Sequence, residues 1–290
     1  MTQGGLVIGV SLKMYFGQRQ TLDWCRQVAA IARQHPLVAG GGVELFVLPA
    51  APLIDPVLRI FADVNVGVGA QNLSGENSGP FTGEVSGALL REMGCRYAEV
   101  GHAERRRLFG EDDAAAAAKV AASWRNGLTP VLCVGESAKV PSAEAARACV
   151  SEAEAILGRA GAVRPGAVDP ARRAILAYEP HWAIGQPEAA PTGHITEVTS
   201  ALRHWLASRP ELAGSRVIYG GSAGLGLLGS IRGSVDGLFL GRFAHDPAAL
   251  AAILDEAEQA VTTRNAVTTR NAVTTQNAVT TRKAVTWRSV

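Results

Sequence analysis

Two short segments hold side chains whose type and setting suit proton transfer at carbon. Glu179 lies in A-Y-E-P-H-W-A-I-G, directly after an apolar run and before a proline. A carboxylate held among Tyr178, Pro180 and Trp182 is expected to be partly desolvated, the condition that suits a general base. His102, in G-H-A-E-R-R, is a second candidate, since an imidazole can give or take a hydrogen near neutral pH. Neither residue carries the case by itself. Most glutamates at strand ends are merely solvated, and a lone histidine is more often structural than catalytic. Other polar or glycine-rich positions follow apolar runs in the same way: Lys13, Gln71-Asn72, Glu104, Glu136, Gly220-Gly221-Ser222 and Gly241-Arg242.

Bringing these positions together requires a fold that gathers the ends of many strands on one rim. Short apolar runs fall at Leu6 to Ser11, Val43 to Leu48, Val66 to Ala70, Tyr97 to Gly101, Thr129 to Val134, Ala174 to Ala177, Arg216 to Tyr219 and Gly237 to Leu240. Several are continuously apolar, as expected of parallel strands covered by helices. Between them lie amphipathic stretches at Thr21 to Gln34, Asp113 to Asn126, Ala143 to Leu157 and Thr196 to Ala207. Eight strand signals, most of them followed by a helix signal, fit the roughly 250 residues of a (β/α)₈ barrel, which carries its chemistry at the C-terminal ends of its strands. A doubly wound open sheet shares the alternation, but no G-x-G-x-x-G follows the first run.

The 290 residues are 47% hydrophobic and 19% charged, a composition that suits one large globular core. No apolar run reaches the length of a membrane span, and residues Met1 to Gly5 lack the marks of a secretory signal. The expected compartment is the cytoplasm. Cys25, Cys95, Cys133 and Cys149 form no C-x-x-C pair, so buried reduced thiols are expected and no zinc site. From Ala260 the unit A-V-T-T-R-N repeats with a six-residue period, and this tail carries five basic residues and no acid. The net charge of +2 therefore hides a mildly acidic globule, a poor match for nucleic acid. The sequence thus divides into a catalytic domain over 1–259 and a low-complexity tail over 260–290. Valine alone on a polar background cannot build a core, so disorder is expected there, with a short β-type repeat as the rival.

Taken in order, the segments resemble the triosephosphate isomerase family from Val7 to about Ala249. The matching motifs are S-L-K-M at Ser11 to Met14, A-Q-N with F-T-G-E at Ala70 to Asn72 and Phe81 to Glu84, and G-H-A-E-R-R with F-G-E at Gly101 to Arg106 and Phe109 to Glu111. C-V-G-E at Cys133 to Glu136, A-Y-E-P-x-W-A-I-G at Ala177 to Gly185 and Y-G-G-S at Tyr219 to Ser222 complete the set. The resemblance implies a (β/α)₈ barrel that isomerises a small phosphorylated sugar through an enediolate. Glu179 would move the proton between adjacent carbons, and neutral His102 would donate to the substrate oxygens, a pairing for which this family is the standard illustration. Lys13 would stabilise the developing charge, and Glu104 would orient Lys13. Gly185, Gly220, Gly221, Ser222 and Gly241 would offer backbone N–H groups to the phosphate. No metal or organic cofactor is implied. Phe81 to Glu84 resembles a loop that enters a neighbouring subunit and sets Thr82 near Lys13 there, so a homodimer is implied. Arg105 and Glu111 would form a supporting ion pair, and Pro180 with Trp182 would form the hinge of a lid.

Four places depart from the family pattern. Ser11 stands for the asparagine beside Lys13, Ala103 for the serine after His102, and the lid reads G-Q-P-E-A-A at Gly185 to Ala190 where G-T-G-K-T-A is usual. Pro187 in that lid fixes φ and removes a donor, and Glu188 reverses a charge. Arg242 follows Gly241 where a second glycine is usual, placing a guanidinium beside the expected phosphate site. Ser11 and G-L-F-L-G-R-F-A at Gly237 to Ala244 are similar to the erythrulose-phosphate isomerase branch of the family. The leading expectation is a triosephosphate isomerase, followed by an isomerase of a four-carbon ketose phosphate, with a barrel that has lost catalysis third.

Overall fold

The computed structural model describes residues 5–162 and 172–262. Eight strands, β1 (Leu6–Ser11), β2 (Val43–Leu48), β3 (Val66–Ala70), β4 (Tyr97–Val100), β5 (Thr129–Val134), β6 (Ile175–Tyr178), β7 (Arg216–Tyr219) and β8 (Gly237–Leu240), form a closed barrel in chain order. Every neighbouring pair is parallel, and β8 closes on β1 through pairs such as Val10 with Leu240. The expected barrel is therefore the observed one. Strand β4 stops one residue short of Gly101, whose φ of +73° turns the chain out of the sheet. Strand β6 runs one residue further than expected, to Tyr178 opposite Tyr219.

The strands are apolar on both faces because each has two different neighbours. One face fills the barrel with Val7, Phe46, Leu48, Tyr97, Val131, Cys133, Ile175, Ala177, Ile218 and Phe239, all buried. The other face packs a separate cluster against the helices. Phe46 stacks on Tyr97 with ring centroids 4.4 Å apart and fills the space left by Gly9, where a Cβ would stand 2.3 Å from the Phe46 ring. The barrel is thus a packed plug below its upper rim, and the interior side chains nearest the rim become the floor of whatever lies above.

The covering helices include Gln18–Gln34, Asp113–Arg125, Ser142–Ala162 and Thr192–Ala207, each at one of the amphipathic stretches. Asp112 caps the second by accepting from the Ala115 N–H at 2.8 Å. Shorter helices that periodicity did not mark, such as Gly87–Met93 and Ala103–Phe109, fill the loops above β3 and β4. A last helix spans 247–262, three residues into the repeat. Val261 follows buried Ala257 at i+4 and packs against the core, so Ala260, Val261 and Thr262 extend a helix past the expected division at 259/260. The rest of the repeat lies outside the described residues. All four cysteines are buried and free. Among the described residues no helix is long and apolar enough to cross a membrane.

Candidate active site

Above the plug the strand ends surround a cavity of about 1270 Å³. Ser11, Lys13, His102, Glu104, Glu179, Gly185, Gly221, Ser222, Gly241 and Arg242 all line it, which gathers residues from β1, β4, β6, β7 and β8. Of the expected site residues, Gly220 alone is missing from the lining. Its N–H is already given to the Tyr178 carbonyl at 2.9 Å, continuing the β6–β7 ladder, so it has no donor to offer a phosphate. Gly220 serves Glu179 instead: a Cβ there would stand 2.4 Å from Glu179 Oε1, so glycine is what lets the carboxylate occupy its place.

Lys13 sits just past β1 with φ of +50°, a left-handed backbone that an L side chain rarely adopts. The Gln71 amide holds it there, donating to the Lys13 carbonyl at 3.0 Å and to the Leu48 carbonyl at 2.9 Å. Its ammonium donates to Glu104 Oε1 at 2.9 Å. Burial by itself would depress the Lys13 ammonium, but the hydrogen bond and charge of Glu104, aided by Glu179 and Glu99, hold it above its ordinary value. Burial would likewise raise Glu104, and Lys13 overrides that and keeps the carboxyl below the usual range. The pair is therefore charged across the neutral range.

His102 caps the helix Ala103–Phe109, with Nδ1 accepting from the Glu104 N–H at 3.1 Å. A nitrogen that accepts carries no hydrogen, so in the neutral ring the hydrogen is on Nε2. Among the described residues that atom is buried without a hydrogen-bond partner, as is Glu179 Oε2, and the two lie 3.5 Å apart. Two buried polar atoms left open to the same space are arranged to be completed by a ligand. Glu179 is buried, its N–H given to Val134 O at 2.9 Å, so strand-like hydrogen bonding continues through this residue.

The supporting ion pair is present and larger than expected. Glu111 accepts from Arg105 Nε at 2.8 Å, from Lys119 Nζ at 2.5 Å and from the Gly101 N–H at 2.9 Å. Burial would raise the Glu111 carboxyl, and these donors hold it low. The result locks the turn that carries His102. The segment expected to form a lid hinge is tied down from the other side, where Glu136 accepts from Trp182 Nε1 at 2.8 Å and from Tyr178 OH at 3.2 Å, and lies 3.0 Å from His194 Nε2. Ser222, also left-handed at φ +65°, donates its hydroxyl to the Ala183 carbonyl at 2.9 Å, and Arg242 reaches across the mouth to donate to the Gly185 carbonyl at 3.0 Å.

One site residue was not singled out in the sequence. Glu99 shares the barrel-facing side of β4 with Tyr97 and lies buried under the cavity, its Oε2 2.9 Å from Ser11 Oγ and its Oε1 4.0 Å from His102 Nε2. Burial, ahead of the neighbouring charges, pushes its carboxyl up. Its mark in the sequence is an acid in the middle of an otherwise apolar run. Among the described residues one His/Asp/Glu group, His35, Asp255 and Glu258, converges as metal ligands do. His35 Nδ1 already accepts from the Leu37 N–H and Nε2 lies 3.3 Å from Asp255, so the ring is used within the protein, and none of the three lines the cavity.

The sequence matches the family model described as triosephosphate isomerase over residues 6–257. It is 54% identical over 258 residues to the L-erythrulose-1-phosphate isomerase of Pectobacterium atrosepticum, covering 89% of this chain and 97% of that protein. It is 39% identical over 231 residues to the triosephosphate isomerase of Symbiobacterium thermophilum, covering 78% and 88%. A probable triosephosphate isomerase 2 of Listeria monocytogenes is 34% identical over 257 residues, 86% of this chain and 95% of that one. With the closed barrel, the open Nε2 and carboxylate at its rim and these matches in hand, the chain belongs to the triosephosphate isomerase family and is an isomerase.

Proposed function

We propose that the protein interconverts small ketose phosphates and their isomers by an enediolate route, with L-erythrulose 1-phosphate as the favoured substrate. The observation that carries the chemistry is the pair of unpartnered atoms, Glu179 Oε2 and His102 Nε2, 3.5 Å apart in a cavity that also holds Lys13. Glu179 takes the proton from the carbon beside the carbonyl, and the electrons of that C–H bond form the enediolate double bond as the carbonyl pair moves onto oxygen. His102 Nε2–H and the Lys13 ammonium stabilise that oxygen, and Glu179 returns the proton to the neighbouring carbon. A proton next to a carbonyl so polarised needs no cofactor to leave.

The choice of sugar rests on the two ends of the cavity. L-Erythrulose 1-phosphate is dihydroxyacetone phosphate with one added hydroxymethyl group on the carbon that loses its proton. The extra group thus lies beside Glu179, His102 and Ser11, and serine there leaves room that asparagine would fill. The phosphate lies at the opposite rim, among Gly185, Gly221, Ser222, Gly241 and Arg242, where Arg242 adds a guanidinium. The 54% identity to an L-erythrulose-1-phosphate isomerase supports the same choice. The triose reading is favoured by the retained Lys13, His102, Glu104 and Glu179 and by the 39% identity to a triosephosphate isomerase.

The purified protein assayed on both sugars separates the two. We expect kcat/KM for L-erythrulose 1-phosphate to exceed that for dihydroxyacetone phosphate by about tenfold, or 1.4 kcal/mol, and Arg242→Gly to narrow that ratio. Turnover of dihydroxyacetone phosphate near the diffusion limit, with the four-carbon sugar ignored, would establish the triose reading instead. We place the enzyme in the cytoplasm as a homodimer. Met14 and Tyr15 beside Lys13 are 93% and 53% exposed, and Phe81 in the loop expected to enter a partner is 45% exposed, an apolar set that a second copy would cover.

A further inference from the structure

The Ser11–Glu99 pair under the cavity is not needed to fill the barrel. The rest of the barrel interior is apolar, and Glu99 itself stands opposite Val131 in the β4–β5 register. Ser11 is 2% exposed and Glu99 3% exposed, and among the described residues Ser11 alone hydrogen-bonds the Glu99 side chain. A buried carboxylate with one neutral hydrogen-bond partner is unfavourable, so burial favours the protonated carboxyl. The groups that face Glu99 are Ser11 and Lys13 past β1, His102 past β4, Cys133 on β5 and Glu179 past β6. Burial and the Glu179 charge favour the protonated form; His102, Ser11 and Lys13 oppose it without prevailing.

The protonation state decides what Ser11 can do. When Glu99 is ionised, the Ser11 hydroxyl must donate to it across the 2.9 Å contact, and only lone pairs face the cavity. When Glu99 is protonated it donates to Ser11 Oγ, and the Ser11 hydrogen is released to turn toward the substrate. We propose that Glu99 is a positioning residue of the isomerisation: as a neutral acid it donates to Ser11 and so makes the Ser11 hydroxyl a hydrogen-bond donor to the enediolate oxygen. The donor that an asparagine amide would supply at this position is thereby restored through a two-residue relay. A carboxylic acid kept neutral by an apolar setting has this capacity to support a developing oxyanion. The ionised form fails twice, since it takes the Ser11 hydrogen away and sets a negative charge 4.0 Å from the nitrogen that polarises the substrate.

The proposal rests on the isomerase reading above. Its test is the pH dependence of kcat and KM for wild type, Ser11→Ala, Glu99→Gln, Glu99→Leu and the Ser11→Ala/Glu99→Leu double variant, each first shown by its melting curve to be folded. Wild-type kcat should decline as pH rises through the ionisation of Glu99. Glu99→Gln, whose amide can donate to Ser11 at every pH, should lower kcat about threefold and abolish that decline. Glu99→Leu and Ser11→Ala should each lower kcat about tenfold with KM within about twofold, and the double variant should be no worse than Ser11→Ala. Three results would each overturn the relay: Glu99→Gln retaining the wild-type alkaline decline, Ser11→Ala raising KM while sparing kcat, or additive losses in the double variant. Failure of the underlying reading looks different, because wild type itself would then isomerise neither sugar. Ser11→Ala removes one oxygen and keeps the test alive even if a Glu99 variant does not fold.

Discussion

Gly220→Ala tests the placement of the proposed base, Glu179, more directly than removal of its carboxylate. The backbone at Gly220 is not in the left-handed region, so alanine meets no φ penalty and the effect is one of space. The new methyl would lie 2.4 Å from Glu179 Oε1, 2.6 Å from Cγ and 2.9 Å from Cδ, whereas ordinary contact begins near 3.4 Å. Glu179 must retreat by about 1 Å. It is buried and its backbone is fixed by the hydrogen bond to Val134, so the side chain moves within the cavity toward or past His102 Nε2, now 3.5 Å away. A displacement of about 1 Å at a reacting group costs on the order of 10²-fold in rate, which is about 2.7 kcal/mol of barrier. Overpacking of one methyl should lower stability by about 1–3 kcal/mol, leaving a folded protein. Steady-state kcat and KM on the better sugar, beside a thermal melt, measure both quantities. We expect kcat to fall roughly a hundredfold with KM little changed. A folded Gly220→Ala protein with wild-type kcat would show that Glu179, as placed here, is not the base.

Glu179→Gln should lower kcat by several orders of magnitude with the melting temperature retained, and His102→Ala should lower it by about 10²- to 10⁴-fold; near-normal turnover by Glu179→Gln on either sugar would end the proposed mechanism. A chain ending at residue 262 should match the full-length protein in melting temperature and turnover, whereas one ending at Gln259 loses Val261 from the core and should melt about 2 °C lower; equal melting of the two would mean that Val261 contributes nothing. Glu152 is a half-buried carboxyl, 2.7 Å from Arg106 Nη2, that desolvation pushes up to about 7 against the pull of Arg106 and the Gly135 N–H. Its folded form holds a proton that the unfolded chain has already released, so stability falls as pH rises from the ordinary carboxylate range to about 7. Glu152→Gln should flatten denaturant midpoints across that window, and an unchanged slope would refute the assignment.

The strands were legible because burial on both faces leaves short, continuous apolar runs, and six of the eight kept the limits read from the sequence. The two that moved did so for reasons of tertiary register: Gly101 turns out of β4 at φ +73°, and Tyr178 is held in β6 by Tyr219 opposite. Lys13, His102 and Glu179 were visible as polar residues after apolar runs, and the cavity gathers them as that pattern demands. Glu99 was missed by the same rule, which looks for polar residues after an apolar run and not inside one. Only the closed barrel shows that Tyr97 faces inward, which puts Glu99 on the same face one layer higher, under His102. Gly220 was misjudged for a related reason. Whether its N–H is free depends on the β6–β7 ladder, and a Gly-Gly-Ser string does not reveal that its first N–H is already given away.

The departures from the family pattern are coupled in space, which separated substitutions along the sequence conceal. Pro187 removes an N–H from the segment expected to form a lid, and a lid that covered a phosphate would work through such donors. Arg242, some 55 residues later in the chain, brings a guanidinium to the same mouth and ties itself to the lid at the Gly185 carbonyl, 3.0 Å away. A cation with several donors thus lines the same cavity as Pro187. At the opposite end, Ser11 withdraws an amide and Glu99 supplies an acid 2.9 Å behind it. Each end thus shows a lost donor and a nearby gain, while the base, the imidazole and the Lys13–Glu104 pair between them stay as the family has them. On the proposed mechanism proton transfer fixes those central groups, because a carbon acid beside a carbonyl makes the same demand whatever the length of the sugar. Length and hydroxyl pattern are felt only at the ends, and there the two paired changes define a cavity with the family's chemistry and its own fit.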